Sequence, residues 1–288
     1  MGAINTLVQG VLLGGLYALF ATGLSLTFGI MRLVNLAHGD FIVLAAFLAL
    51  AAGQALGLPP ITALAVVIPA MAGLGYALQR GLLNRTLGND MLRPLLVTFG
   101  LSVIVQNLLL EGFSADSQKL QGGAWETASI GLGGGLFVGV YPLIVFALAV
   151  LVIGGLQLLF YRTELGRVFR ATSDDRETVG LMGANNNHIN AMAMAIAMGV
   201  VGLAGVLFAI RTNFDPAGGG SRLLFAFEAV IIGGLGNLWG TLAGGVVLGV
   251  AQAIGGAINP GWQILAGHIA FLIVLLVRPQ GLFPRVAH

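Results

Sequence analysis

The chain has 288 residues, of which 8% are charged and 57% hydrophobic, with a mean hydropathy of +0.96 and a formal net charge of +2. A soluble domain carries about 25% charged residues, so these proportions exclude a water-soluble globular fold and make lipid the natural solvent for most of the surface. With no cysteine in the chain, a disulfide framework and a thiolate metal site are both excluded.

In chain order, the start from Met1 to Gly10 lacks a basic n-region, so the first hydrophobic run reads as a retained span and not a cleaved leader. Uncharged stretches of nearly the length needed to cross a hydrocarbon core, about 20 residues, recur at 7–30, 41–58, 61–78, 94–110, 138–160, 191–210, 241–258 and 262–277. Continuous apolar runs of this kind must be helices, because backbone groups in lipid have to bond within their own segment. An outer-membrane barrel would need alternating segments of about ten residues, and none is present. The fold expected is therefore an all-α polytopic membrane protein of about eight transmembrane helices, forming one unit over residues 1–288.

Basic residues concentrate in cytoplasmic loops. If the loop at 162–188 is cytoplasmic, that side holds Arg32, Arg80, Arg85, Arg93, Arg162, Arg167, Arg170, Arg176, Arg278 and Arg285, and the outer side holds Lys119, Arg211 and Arg222. Ten against three predicts an N-terminus outside and a C-terminus in the cytoplasm. The same walk needs the chain to go in and come back between Arg222 and Thr241. The inward leg, 223–236, spans only about 21 Å at 1.5 Å per residue, so 223–239 is expected to be a broken or re-entrant helix. Its break falls in GGLGNLWG, 233–240, at a depth where irregular backbone is tolerated only inside protein or along a cavity.

A second interruption lies early, where MRLVNLAHGDF (31–41) sets Arg32, Asn35, His38 and Asp40 between two apolar runs. Interrupted segments in both halves of a transporter point to the translocation path. The echo of LVNLAHG (33–39) in LGNLWG (235–240) is too short to prove a duplicated fold. Glycine is abundant, 45 residues. Gly14, Gly15, Gly199, Gly202, Gly205, Gly244, Gly245, Gly249, Gly255 and Gly256 are read as sites of close helix approach.

Catalytic chemistry is not evident. His38, His188, His268 and His288 share no paired helical spacing, and Lys119, the only lysine, follows Gln118 where a phosphate-binding loop needs glycine. No cofactor is expected in this chain. His268 reads as a hydrogen-bonded packing residue. Glu228 is a carboxylate inside a membrane segment, costing about 2.5–3.5 kcal/mol on insertion scales for Asp at a helix centre. It is either functional or paired with a basic residue or with free N–H groups at the break. Asp40 reads as a helix cap. In the loop ELGRVFRATSDDRETVGLMGANNNHINAM (164–192), Ser173 or Asp174 can cap a short helix over 175–182 closed by Gly183, with an apolar stripe of Val179, Leu181 and Met182. That helix either lies on the membrane surface or docks in a groove of a soluble partner.

Three stretches, GLYALFATGLSLTFGIMRLVNLAHGDF (15–41), GRVFRATSDDRETVGLMG (166–183) and EAVIIGGLGNLWGTLAGG (228–245), together with the terminal RPQGLF (278–283), carry an end-to-end resemblance to the Liv-type permeases of branched-chain amino acid ABC importers. The resemblance implies a permease of the bacterial plasma membrane that carries branched-chain amino acids inward by alternating access. It further implies a second homologous permease, two cytoplasmic ATPase subunits holding ATP and Mg, and a periplasmic binding protein. Asp174, Asp175, Arg176, Glu177, Thr178, Leu181, Met182 and Gly183 would form the ATPase-coupling helix, within the cytoplasmic coupling loop 162–188. Asn35, His38, Gly39, Asp40, Glu228, Gly233, Gly234, Gly236 and Asn237 would lie on the translocation path. Gly180 and Ala184 depart mildly from the expected Ala and Ile. Close relatives carry amides, urea or aromatic acids, which leaves the substrate class open. The rivals from other classes are a secondary transporter with Glu228 or Asp40 as proton carrier, and a membrane enzyme.

Overall fold

The computed structural model describes residues 2–87, 92–131, 133 and 137–283; Arg285 and His288 lie outside them. In order the helices are α1 (Gly2–Met31), α2 (His38–Leu56), α3 (Pro60–Gly81), α4 (Leu92–Phe113), the single turn α5 (Ala124–Thr127), α6 (Val140–Arg162), α7 (Glu164–Asp174), α8 (Arg176–Leu181), α9 (Asn186–Arg211), α10 (Gly219–Gly233), α11 (Leu238–Ile258) and α12 (Gln263–Val277). Among the described residues eight helical spans are long and apolar enough to cross a membrane: α1, α2, α3 continued to Arg85, α4, α6, α9, α11, and α12 together with the turn before it, Pro260–Val277. The protein is all-α and polytopic, as the apolar runs require. A short antiparallel hairpin, β1 (Ser129–Gly131) with β2 (Phe137–Gly139), was not expected from the sequence. It sits with α5 at one end of the bundle, the hairpin face; α7 and α8 lie at the other, the loop face.

Burial divides the helices into centre and periphery. In their most apolar windows α1 is 89% buried and α9 83%, against 6% for α12. The outer helices bury one stripe each. On α3 it is Ala63, Val67, Met71, Gly75 and Gln79, and on α6 it is Tyr141, Val145, Ala149 and Ile153. Both repeat every four residues, which is one face of a helix. Lipid is as apolar as leucine, so these stripes are not set apart from the lipid-facing sides by greater hydrophobicity.

Glycine sets the closest approaches. α1 lies on α11 through Gly10 and Gly14 against Gly245 and Gly249, and a Cβ at Gly14 would stand 2.5 Å from the Val246 Cα. Gly205 of α9 meets the Ile42 carbonyl, and Gly244 of α11 meets the Ala229 carbonyl of α10. Gly199 and Gly256 do not belong to this set, since a Cβ there would meet nothing nearer than 3.7 and 3.5 Å.

Two helices begin or end inside the bundle. After Met31 the segment 32–37 folds back along α1, and the His38 ring bonds the carbonyl of Phe20, about 16 Å up α1 at 1.5 Å per residue. α2 therefore starts at mid-depth. The expected broken helix is α10, fifteen residues long, about 22 Å. Its break at 234–237 leads directly into α11. The starts of α2 and α10 cross backbone to backbone at Gly39 and Gly219, where neither tolerates a Cβ.

Candidate functional site

The loop between α6 and α9 holds two helices where the sequence suggested one. α7 is capped by Thr163, whose Oγ1 accepts from Gly166 N at 3.1 Å. It is pinned to the end of α6: Gly166 lies on the Leu159 and Phe160 carbonyls, Phe169 stacks beside Phe160 at 5.5 Å, and Arg170 donates to the Phe160 carbonyl. Ser173 Oγ donates to the Gly29 carbonyl of α1 at 2.7 Å. Extended backbone at Asp175 separates α7 from α8, and Asp175 is the cap of α8 in place of the expected Ser173 or Asp174. Its Oδ1 accepts from the N–H groups of Glu177 and Thr178, both at 3.0 Å, and its Oδ2 from the Thr178 hydroxyl at 2.5 Å. The Thr178 hydroxyl foremost, with these N–H groups, holds the Asp175 carboxyl below the usual carboxylate range.

α8 gives way to Met182 and then to Gly183 at φ +89°, a left-handed residue suited to glycine. The expected apolar stripe is split. Val179 is buried and anchors α8, while Leu181 and Met182 are 89% and 83% exposed. Asp174, Glu177 and Thr178 are also exposed, and Arg176 is half-buried. The coupling residues named from the sequence thus gather on one projection of the loop face. Behind it, a cleft of about 260 Å³ separates Ile30, Met31 and Arg32 of the α1 end from Ser173–Glu177 and Asn190.

At the first interruption Arg32 takes φ +52° and the chain reverses. Asn35 Oδ1 accepts from Ala37 N at 3.0 Å, and Leu36 N donates to Thr98 Oγ1 of α4 at 3.1 Å. Asp40, expected to cap, makes no cap hydrogen bond at the helix start; its Oδ1 accepts from Gln106 Nε2 of α4 at 2.8 Å. Asn35, His38 and Asp40 are all buried. Thr98, Ser102 and Gln106 form a polar stripe on α4 that the sequence reading missed. Its signal was there to find, as three polar residues four apart in an apolar span.

At the second interruption Gly233 lies against Gly240, Gly234 and Gly236 take φ +104° and +78°, and Asn237 Oδ1 caps α11 through Gly240 N at 2.9 Å. The terminal RPQGLF covers the break. Leu282 and Phe283 N–H groups donate to the Ile232 and Gly233 carbonyls, and Asn237 Nδ2 donates to the Phe283 carbonyl. Gly236 also touches α1 at Gly29. Glu228, one turn and more before the break, pairs with His268 Nδ1 of α12 and not with the break's N–H groups. The path residues named from the sequence therefore form separate constellations. His38 faces α1, Gly39 meets the start of α10 and Asp40 meets α4, Asn35 folds onto its own turn, Gly233 and Asn237 meet the terminal segment while Gly236 touches α1, and Glu228 turns toward α12. Among the described residues no group of three or more His, Asp or Glu could hold a metal ion.

Comparison with known proteins agrees with this architecture. Residues 6–277 match the family described as the branched-chain amino acid transport system permease component. The chain is 29% identical to the high-affinity branched-chain amino acid transport system permease protein BraD of Pseudomonas aeruginosa, covering 98% of this chain and 96% of that one. LivH of Escherichia coli, described in the same terms, is 26% identical with the same coverage, and LivM of Salmonella typhimurium is 26% identical over 93% of this chain and 68% of its own. Among solved structures, PsaBC from Streptococcus pneumoniae in complex with Fab superimposes with a TM-score of 0.50 at 13% identity, over 94% of this chain and 91% of that one, a likeness of fold alone. The chain belongs to the branched-chain amino acid transport permease family.

Proposed function

We propose that this chain is the membrane permease subunit of an ATP-binding-cassette importer that carries branched-chain amino acids across the bacterial plasma membrane, with its N-terminus outside and its C-terminus in the cytoplasm. A second, homologous permease would complete the pore, in keeping with the similarity to both LivH and LivM proteins. Two cytoplasmic ATPases would hold ATP and Mg, and a periplasmic binding protein would deliver substrate to the hairpin face. The observation that carries this reading is α8, a capped helix on a polar projection that presents Leu181 and Met182 to water. Adjacent large apolar side chains this exposed suit a contact surface, and on a charged projection beyond the spans we assign that contact to a soluble protein.

The connections behind α8 supply a mechanism. Pressure on α8 passes to α7, whose Ser173 holds the end of α1 at Gly29, and Gly29 rests on Gly236 in the α10–α11 break. Closure of the ATPases would thus move α1 and the break together, and α1 carries α11 with it through their glycine contact. Hinges at left-handed glycines absorb such movement at little steric cost.

The test is uptake by the complete complex in proteoliposomes, with ATP present or absent and with the proton gradient intact or collapsed. Leucine uptake that needs ATP and ignores the gradient is the expected result. Uptake that persists without ATP and vanishes with the gradient would establish a proton-coupled carrier in its place, and ATP-dependent uptake of amides, urea or aromatic acids but not leucine would reassign the substrate.

A further inference from the structure

The break and the coupling loop leave one group of polar residues without a task. Tyr17 of α1, Glu228 of α10, Gln252 of α11 and His268 of α12 converge from four helices. Tyr17 Oη donates to Gln252 Oε1 at 2.5 Å, and His268 Nδ1 bonds Glu228 Oε1. Each of these bonds fixes one end of a side chain and leaves the other end unused. Glu228 Oε2 and Gln252 Nε2 have no protein partner, although the two residues are only 2% and 1% exposed. Both side chains lean on the same turn of α12: Glu228 on His268, and Gln252 alongside Gly267, where a Cβ would stand 2.9 Å from Gln252 Nε2. Glycine at 267 keeps that amide in place.

The two unused atoms are chemically opposite. A carboxylate oxygen accepts and an amide nitrogen donates, and the large majority of buried side-chain polar atoms have a partner. Around them the walls are aromatic. Tyr17 and Phe225 rings stand 5.1 Å apart, Phe225 stacks on His268 at 6.3 Å, and Phe20 lies 6.2 Å from Tyr17. His268 is a third exposed on a helix that is otherwise apolar after Gln263 and turned outward. An acid–imidazole pair set at least five residues from either end of α10 and of α12 cannot face lipid cheaply, so this edge of α12 borders protein or water.

We propose that Glu228 and Gln252, walled by Tyr17 and Phe225, form an intramembrane recognition point for the zwitterionic head of the transported amino acid. Glu228 Oε2 accepts from the α-ammonium, Gln252 Nε2 donates to the α-carboxylate, and the aromatic rings take the branched side chain. His268 is a positioning residue that orients Glu228. The proposal rests on the importer reading above and adds to it the atoms that meet the substrate.

The experiment uses the complete complex in proteoliposomes, with a diazirine analogue of leucine supplied through the binding protein, irradiated under vanadate arrest and mapped by mass spectrometry. The expected result is label on peptides holding Phe225 or His268. Glu228→Gln and Gln252→Leu should each lower both label and leucine uptake about tenfold, while the loaded binding protein still stimulates ATP hydrolysis. Label confined to other helices in the wild type overturns the proposal and leaves the importer intact. Variants that keep full label and uptake also overturn it, since the two groups then hold no more than a water. Absence of any ATP-dependent amino acid uptake by the wild type defeats the importer reading itself.

Discussion

At the scale of single residues, the glycines separate into those that touch and those that do not. Gly244 lies on the Ala229 carbonyl and the Gly233 amide, whereas Gly155 has nothing within 4 Å of a built Cβ. Gly244→Ala should therefore destabilise the protein in detergent by about 1–3 kcal/mol, the usual range for overpacking. Gly155→Ala should be neutral or slightly stabilising, because Ala is the better helix former. Thermal unfolding of the two variants side by side checks this, and equal midpoints would refute the helix contact drawn through Gly244. Asp175 gives a prediction in pH. Its hydrogen bonds depress the folded-state pKa, so the cap's contribution is complete above the unfolded value of about 3.9 and is lost only as pH falls through the lower folded value. Docking of the ATPase through α8 should consequently not vary with pH between 5 and 8 on account of Asp175. Asp175→Asn, which still caps, should keep docking, and Asp175→Ala should weaken it. A loss of docking between pH 6 and 5 in the wild type that disappears in Asp175→Asn would contradict the assignment.

At the scale of elements, the apolar runs were readable because hydrophobic length alone decides whether a segment can cross lipid, and each predicted span has its helix. The short inward leg of α10 was readable by the same arithmetic. The depth at which α2 starts was not, because it depends on a bond from His38 to a carbonyl eighteen residues earlier, and no local pattern encodes that. Partners were hidden for a related reason. Asp40 with Gln106, Glu228 with His268 and Tyr17 with Gln252 are joined across 40 or more residues, and helices apolar all round give no face from which to infer who meets whom. The loop helix α8 was placed to within a residue, but its stripe was misjudged, because α8 is too short for spacing to tell the anchored side from the free one. That division yields a test. Leu181→Asp, at an 89% exposed position, should abolish capture of the ATPase while the protein inserts and elutes as the wild type does. Val179→Asp puts a charge into a buried site, so it should lower the yield of folded protein. Equal ATPase capture by Leu181→Asp and the wild type would remove α8 from the contact.

At the scale of the whole molecule, the two faces differ in kind. The loop face carries α7, α8 and the covered break, and the hairpin face carries α5, the hairpin and the Lys119–Glu126 ion pair at 2.6 Å. The loop face is tied to the end of α1 through Ser173 and Gly29, and on the hairpin face the strands pair with each other beside the start of α6. If the basic residues dictate insertion as they do in other polytopic proteins, the loop face with its arginines is cytoplasmic and the hairpin face is outside. A protein whose orientation were reversed would present α8 to the wrong compartment and could meet no cytoplasmic ATPase, so orientation is a condition of the proposed function. It can be read directly, because the chain contains no cysteine and single ones can be introduced. Ser129 stands exposed on β1, and the Glu164 side chain is 92% exposed at the start of α7. Ser129→Cys and Glu164→Cys each change a surface position with no packing role. An impermeant thiol reagent added outside intact spheroplasts should label the first at once and the second only after the membrane is opened. The reverse pattern would place α8 outside the cell and exclude any cytoplasmic ATPase from reaching it.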